Sequence, residues 1–287
     1  MGGRSDPKGL SCGRRRTVGL SLPLLLLASG ALAQVVPNNA ALYLHPTDVR
    51  DARALWVNPA GLGAFPEASV HLDLTVGDPG AKGRLRQLTM SLHSRGLSLG
   101  YQRDLFGSGG RGHTYRVGYA AGRAGLAAGF ATALYRGGTS STGWDLGILY
   151  DWTPTLSVGG VIQNIGRPVV RESTLRITYV PSATLQLAGR RVVLSALSHL
   201  TSDGVAGYAF GLRGTLRAGT SLPIGLIARL DTDRSLHRSG FAFGFSLGGE
   251  DMAGLVATTP GDARGIDGLS LYGVSTRRFA NARRSVR

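Results

Sequence analysis

Six histidines, His45, His71, His93, His113, His199 and His237, are the groups from which this chain could build acid–base or metal chemistry. Hydrolysis would need one of them beside an activated serine, and none lies in a nucleophile motif. Their surroundings place each at a loop or rim. Beyond an N-terminal leader, a Ser–Lys pair has only Lys82 to draw on, in the turn-like stretch GDPGAKGR. The stretch DTDRSLH at 231–237 is too loose for a ligand set and has the composition of an acidic turn. Cys12 is the one cysteine, ahead of the leader's apolar run, so an exported mature chain has no disulfide. No enzyme activity, metal or cofactor is expected.

The elements that would position such groups are far more regular than the groups themselves. Arg14, Arg15 and Arg16, then VGLSLPLLLLASG, then Ala31-Leu32-Ala33, have the order of a basic region, an apolar region and a cleavage site. Residues 1–33 are therefore expected to be a signal peptide. Its charge is +4 and that of the Arg-rich stretch 277–287 is +5, which leaves +6 of the net +15 for the body. The body has no basic run interleaved with stacking aromatics, so nucleic acid is not an expected partner. Forty-four glycines and twelve prolines disfavour a helical chain, and no window beyond residue 33 is apolar enough for a spanning helix.

From residue 68 onward period-two alternation recurs. It predicts about fourteen arms: 68–76, 85–93, 95–103, 113–121, 124–135, 143–152 and 155–163, then 174–187, 191–198, 206–216, 222–231, 240–248, 252–258 and 268–276. The arm 174–187 keeps one parity throughout, with Pro181 expected at a bulge or rim because it cannot donate to a ladder. Trp144, Leu146, Ile148, Tyr150 and Trp152 share one parity and Asp145, Gly147 and Asp151 the other. Trp144 and Trp152 would lie roughly 26 Å apart along a strand at ~3.3 Å per residue. With a tilt of about 40° that projects to roughly 20 Å, close to the apolar band of an outer-membrane barrel. Trp144, Tyr150 and Trp152 are thus candidates for an aromatic girdle.

The bulky residues of these arms have nothing to bury against in a soluble sandwich, while the opposite faces carry Gly, Ala, Ser and Thr with scattered charges. The expected fold is all-β: a transmembrane antiparallel β-barrel of about 14 strands spanning 67–279, followed by a basic tail, 280–287. Parity assigns Arg116, Asp145, Arg176, Arg213, Arg217 and Arg229 to the lumen. The connections leave little length for extracellular loops, so any lid is expected from residues 34–66. That stretch lacks alternation, and Asn58 before Pro59 suits an N-cap with proline at the first helical position. It is expected to be a strap or a plug.

Two stretches resemble a known group. ARALWVNPAGLG at 52–63 is similar to the Asn-Pro-Ala-Gly-Leu motif near the mature N-terminus of FadL-like and PorV-like outer-membrane proteins, here Asn58, Pro59, Ala60, Gly61 and Leu62. LYDWTPTLSVGGVIQNIGRP at 149–168 resembles a hairpin of PorV-like barrels, and of barrels that precede a signal-peptide-peptidase-like domain. The resemblance implies a 14-stranded barrel of the cell outer membrane with an N-terminal plug. Its partners would be outer-membrane lipid and either a small hydrophobic molecule or a periplasmic or secretion protein for which the barrel is a scaffold. The body is short for a fatty-acid transporter, and no ligand site carries over. A barrel hydrolase and a soluble periplasmic β-rich binding protein are the alternatives.

Overall fold

The first strand, β1 (Glu67–Gly77), already has the inside-out arrangement of the whole molecule. Ser69, His71, Asp73 and Thr75 are buried, while Val70 and Leu72 on the other face are about half exposed. Alternation at period two puts polar groups on one side of the strand and aliphatic groups on the other. The computed structural model describes residues 38–77, 83–105, 111–137, 139–170, 173–218, 222–260 and 265–279. The expected signal peptide and the tail 280–287 lie outside these residues.

After β1 come β2 (Arg84–Ser94), β3 (Leu97–Leu105), β4 (Arg111–Arg123), β5 (Leu126–Gly137), β6 (Thr139–Asp151) and β7 (Leu156–Ile165). Two short strands, β8 (Val169–Val170) and β9 (Ser173–Thr174), pair only with each other. The wall resumes with β10 (Thr178–Leu187), β11 (Val192–Thr201), β12 (Gly204–Ala218) and β13 (Leu222–Asp233). It ends with β14 (Arg238–Gly248), β15 (Asp251–Pro260) and β16 (Gly268–Arg278). All neighbours except β8 and β9 run in one antiparallel circuit, which β1 and β16 close from Glu67↔Arg278 to Gly77↔Gly268. The Phe279 amide extends the seam by donating to the Pro66 carbonyl at 2.9 Å. Closure leaves the wall itself no edge strand to pair with another chain.

Two expectations need correction. Residues 174–187 are not one strand: Ser173–Thr174 belongs to the small hairpin, and the wall begins again only at Thr178. The cause is local. The Leu175 amide donates to the Pro168 carbonyl at 2.9 Å and the Val169 amide to Ser141 Oγ at 2.9 Å, which folds the connection back over β6. Val170 and Leu175 then pack on Ala133 and Tyr135, so this long connection partly covers the mouth and the N-terminal segment is not its sole cover. Pro181, in turn, makes neither a bulge nor a rim. It pairs with Gly160 of β7, and the β11 ladder skips Val180 and Pro181 without changing register, from Tyr179↔Leu200 to Ser182↔Leu197. A missing donor is accommodated as a gap in the ladder.

The other expected arms each overlap one wall strand. Trp144 and Tyr150 face outward, about half exposed, and Trp152 stands in the turn after β6. β6 begins at Thr139, well beyond Trp144, so the two tryptophans do not mark the strand's ends. In the turn, Thr153 Oγ1 accepts from the Leu156 amide at 2.9 Å, the structural use of the Thr-Pro sequence. Connections on the side of the termini are short, such as 95–96, 124–125 and 249–250, while the opposite side carries the 166–177 connection. That asymmetry is the one outer-membrane barrels show between periplasmic and extracellular ends.

Candidate functional site

Residues 38–66 cross the inside of the barrel. Asn39–Leu42 and Pro59–Gly63 form 3-10 turns and Ala54–Val57 a single helical turn, α1. Such short pieces cannot hold themselves together, so their order comes from the wall around them. Asn38 Nδ2 donates to Thr89 Oγ1 and Gln102 Oε1 at 3.0 and 2.9 Å. The Tyr43 hydroxyl donates to Asp73 at 3.0 Å, and Thr47 meets Thr184 at 2.7 Å. The Ala52 amide donates to Ser69 Oγ at 2.7 Å. These partners lie on β1, β2, β3 and β10, so the segment is fixed from opposite sides of the lumen.

Charged groups supply the rest. Arg50 pairs with Asp151 and donates to Ser157 Oγ at 2.9 Å. Arg213 reaches Asp48 through two N–H donors at 3.1 and 2.8 Å. Arg229, 4 % exposed, donates to the Ala41 and Leu44 carbonyls at 2.7 and 2.6 Å and to Asp231. Arg116 donates to the Leu55 carbonyl at 2.8 Å, pairs with Asp145 and lies over the Trp56 ring. Asp145 also accepts from the Asn164 amide at 2.9 Å. A register shift between Trp144 and Leu146 and the positive φ of Asn164 turn that amide inward, and asparagine is among the residues that tolerate this conformation.

The Asn-Pro-Ala-Gly-Leu stretch is the tightest contact. Asn58 is fully buried: its Oδ1 accepts from the Ala60 amide at 3.1 Å, and its Nδ2 donates to the Pro46 and Ile148 carbonyls at 3.1 and 3.3 Å. Pro59, Ala60, Gly61 and Leu62 are buried behind it. The wall makes room by omitting side chains. A Cβ on Gly147 would overlap Asn58 Oδ1, and one on Gly211 would overlap the His45 ring. Cβ atoms at Gly118 and Gly129 would fall 2.6 Å from Leu55 Cδ1 and from the Pro59 carbonyl.

Burial and charge set the titration of the segment. Burial pushes the His45 imidazole down, the Arg229 guanidinium pushes it further, and it titrates at about 3. Burial raises the Asp51 carboxyl, but the adjacent Arg53 guanidinium outweighs it and holds the group below the usual carboxylate range. Burial, with Asp73 alongside, raises the Tyr43 phenol.

Of the expected lumen residues, Arg116, Asp145, Arg213 and Arg229 meet at the segment. Arg176 does not. It lies between β9 and β10, exposed and paired with Asp203, because the hairpin removes it from the wall parity that put it inside. Arg217 lies in β12 opposite Pro223 of β13. The histidines also differ from expectation, since His45, His71 and His93 are buried. Strand parity turns His71 and His93 inward, where Ser91 and Ser69 stand opposite them at 3.4 Å. Ser91 Oγ donates to the Ala52 carbonyl at 2.9 Å, which ties this serine to the segment. The segment's own anchors, Tyr43, Asp48 and Arg50, were not anticipated. The inward-parity glycines that record the segment's outline were their signal.

Two spaces remain. A cavity of about 540 Å³ lies between the segment and the β12–β16 wall, with Arg50, Asp51, Arg213, Glu250, Met252 and Tyr272 among its lining. A second, of about 530 Å³, is an apolar recess in the wall at Gly159, Gly160, Val180 and Pro181, where the ladder is interrupted.

No protein-family model and no curated protein matches the chain. Solved structures do. The CymD monoaromatic hydrocarbon channel aligns with a TM-score of 0.50 at 10% identity, over 84% of this chain and 98% of that one. A Pseudomonas aeruginosa FadL homologue gives 0.48 at 9%, over 85% and 98%. The Ralstonia pickettii toluene transporter TbuX gives 0.49 at 12%, over 84% and 99%. The fold is that of an outer-membrane 14-stranded barrel.

Proposed function

We propose that the chain is an outer-membrane barrel through which small apolar molecules cross, with residues 38–66 as a plug that denies polar solutes an open pore. The observation that carries this reading is the segment bridging opposite walls of a barrel whose exterior is apolar. An aqueous channel would need that space free. An apolar solute needs less, and the recess at Gly159, Gly160 and Pro181 offers it a dry surface. CymD, described as a monoaromatic hydrocarbon channel, sets the class of solute to try first. Export by the leader 1–33 belongs to the same reading, as does a girdle formed by Trp144, Tyr150 and Trp152.

The test has two arms. Cells lacking their own hydrocarbon channels should take up a radiolabelled monoaromatic hydrocarbon faster when they carry this chain. Equal uptake with and without it sinks the transport reading. Proteoliposomes holding the wild-type chain should not swell in a sugar solution, whereas a variant with Arg50→Gln, Arg213→Gln and Arg229→Gln should. Swelling by the wild type would refute the plug.

A further inference from the structure

On the outer wall, at the end opposite the termini, three neighbouring strands break the apolar pattern in one line. Arg103 of β3 is in register with His113 of β4, and His113 with Arg136 of β5. Arg111 stands one outward position further along β4. The four share the outward parity of Leu97, Leu99, Tyr115, Tyr119 and Phe130, all of which are exposed. Directly beneath this line Tyr101 and Tyr115 pack with ring centroids 5.2 Å apart, and the Tyr101 hydroxyl meets His113 Nδ1 at 2.8 Å. Aromatic side chains at this level mark the boundary between acyl chains and headgroups.

Among the described residues, Arg103, Arg111 and Arg136 have no carboxylate partner, unlike their counterparts elsewhere on the same rim. Arg86 pairs with Asp267 at 3.1 Å, and Arg176 pairs with Asp203. By contrast, Asp104, the carboxylate next to Arg103 in β3, faces the lumen, where Gln87 and Gln102 bind it. Arg103 is half-buried; its Nε, shut off from water and without a hydrogen-bond partner among the described residues, is not the group it would offer a ligand, which leaves its terminal N–H groups. Arg136 gives one N–H to the Tyr135 carbonyl at 2.8 Å and is otherwise exposed, as is Arg111. Arginine presents a planar fork suited to phosphate oxygens.

We propose that Arg103, Arg111 and Arg136 bind the phosphate-bearing headgroup of an anionic lipid in the outer leaflet, with its acyl chains lying against the apolar wall below Tyr101 and Tyr115. The inference rests on the membrane placement proposed above. The positive row supplies the charge complementarity, and its continuity with the lipid-facing wall selects a lipid over a soluble anion.

Native mass spectrometry of the full chain in detergent micelles tests this with bis-phosphorylated lipid A, the same lipid without phosphates, and inorganic phosphate as probes. Heat-modifiable migration on SDS gels is recorded for every sample, so loss of the barrel, and with it the membrane reading, is distinguished from loss of the lipid. The wild type should retain the phosphorylated lipid and release the dephosphorylated one. R103Q/R111Q/R136Q should bind it about fivefold more weakly per cation removed. R103K/R111K/R136K should keep most of the binding, and R277Q, at the opposite end, all of it. Equal retention of the dephosphorylated lipid, unchanged retention by the glutamine variant, or equally tight binding of inorganic phosphate alone would each overturn the assignment. Should the triple variant fail to fold, R103Q and R136Q singly carry the same comparison.

Discussion

Asn58→Ala is the sharpest probe of how the segment is held. The substitution removes a fully buried carboxamide that makes three hydrogen bonds, to the Ala60 amide and to the Pro46 and Ile148 carbonyls. A buried bond of this kind is worth ~1 kcal/mol, and leaving its partner unsatisfied costs about 1–3 kcal/mol. The Ile148 bond is the longest at 3.3 Å, and that carbonyl belongs to a wall strand, so it counts least. The other two set a cost of about 2–4 kcal/mol, which favours release of the segment by roughly 30- to 1000-fold. Hydrogen exchange of the 44–62 amides should accelerate accordingly, while that of the ladder amides should not, because the circuit of strands uses no group of Asn58. Gly147→Ala approaches the same contact from the wall, since its methyl would enter the space of Asn58 Oδ1. Once Asn58 is alanine, its Oδ1 and Cγ no longer crowd that methyl, and the Ala60 amide nitrogen stands at 3.1 Å. The double variant should therefore be less released than the two single costs add up to, by about 1–3 kcal/mol of coupling. Additive costs, or ladder exchange rising together with segment exchange, would refute the account of Asn58 as a key fitted to Gly147.

Two further perturbations separate charge from packing. Arg116→Met strands the buried Asp145 and should release the segment and loosen the 164–175 connection at a cost of about 3–5 kcal/mol; adding Asp145→Leu should recover most of it, as measured by exchange at Leu55 and Asn164. His45 is held neutral in the docked segment, with a value near 3 against about 6.5 when free. Its contribution is therefore full above pH ~6.5 and is lost as the pH falls toward 3, because the released segment takes up the proton first. Exchange of the segment, divided by the intrinsic amide rate at each pH, should rise from pH 7 to pH 4.5, and His45→Gln should remove that part of the rise.

Strand count and facing were legible because a barrel wall is written in a period of two over most of each strand. Val70 and Leu72 outside, with His71 and Asp73 inside, follow from parity alone. What parity cannot register is a connection that folds back. Leu175 and Ile177 continue the alternation of Tyr179 back across a stretch where the chain has left the wall, so Arg176 was carried to the lumen by a pattern the backbone does not follow there. The same limit applies to Pro181. The rule that proline avoids interior ladders holds for the missing bond, yet the flanking pairs are sufficient to keep register through it.

The candidate site was half legible for a different reason. Asn58 and Pro59 stood out because capping chemistry is local. Their partners did not, since Ile148, Gly147 and Pro46 are set by how the strands close around the segment. The glycines link the two levels. In a lumen filled only by water, an inward glycine gives up side-chain packing and brings no contact in return. When Gly118, Gly129, Gly147 and Gly211 instead meet Leu55, Pro59, Asn58 and His45, the missing side chains become the shape of what lies inside. The order of dependence follows. The wall closes by its own ladder, and the segment, with only single turns of helix, has its shape imposed by that wall. Release of the segment therefore leaves the barrel intact, whereas a fault in the barrel removes the site for the segment, and every perturbation above should respect that direction.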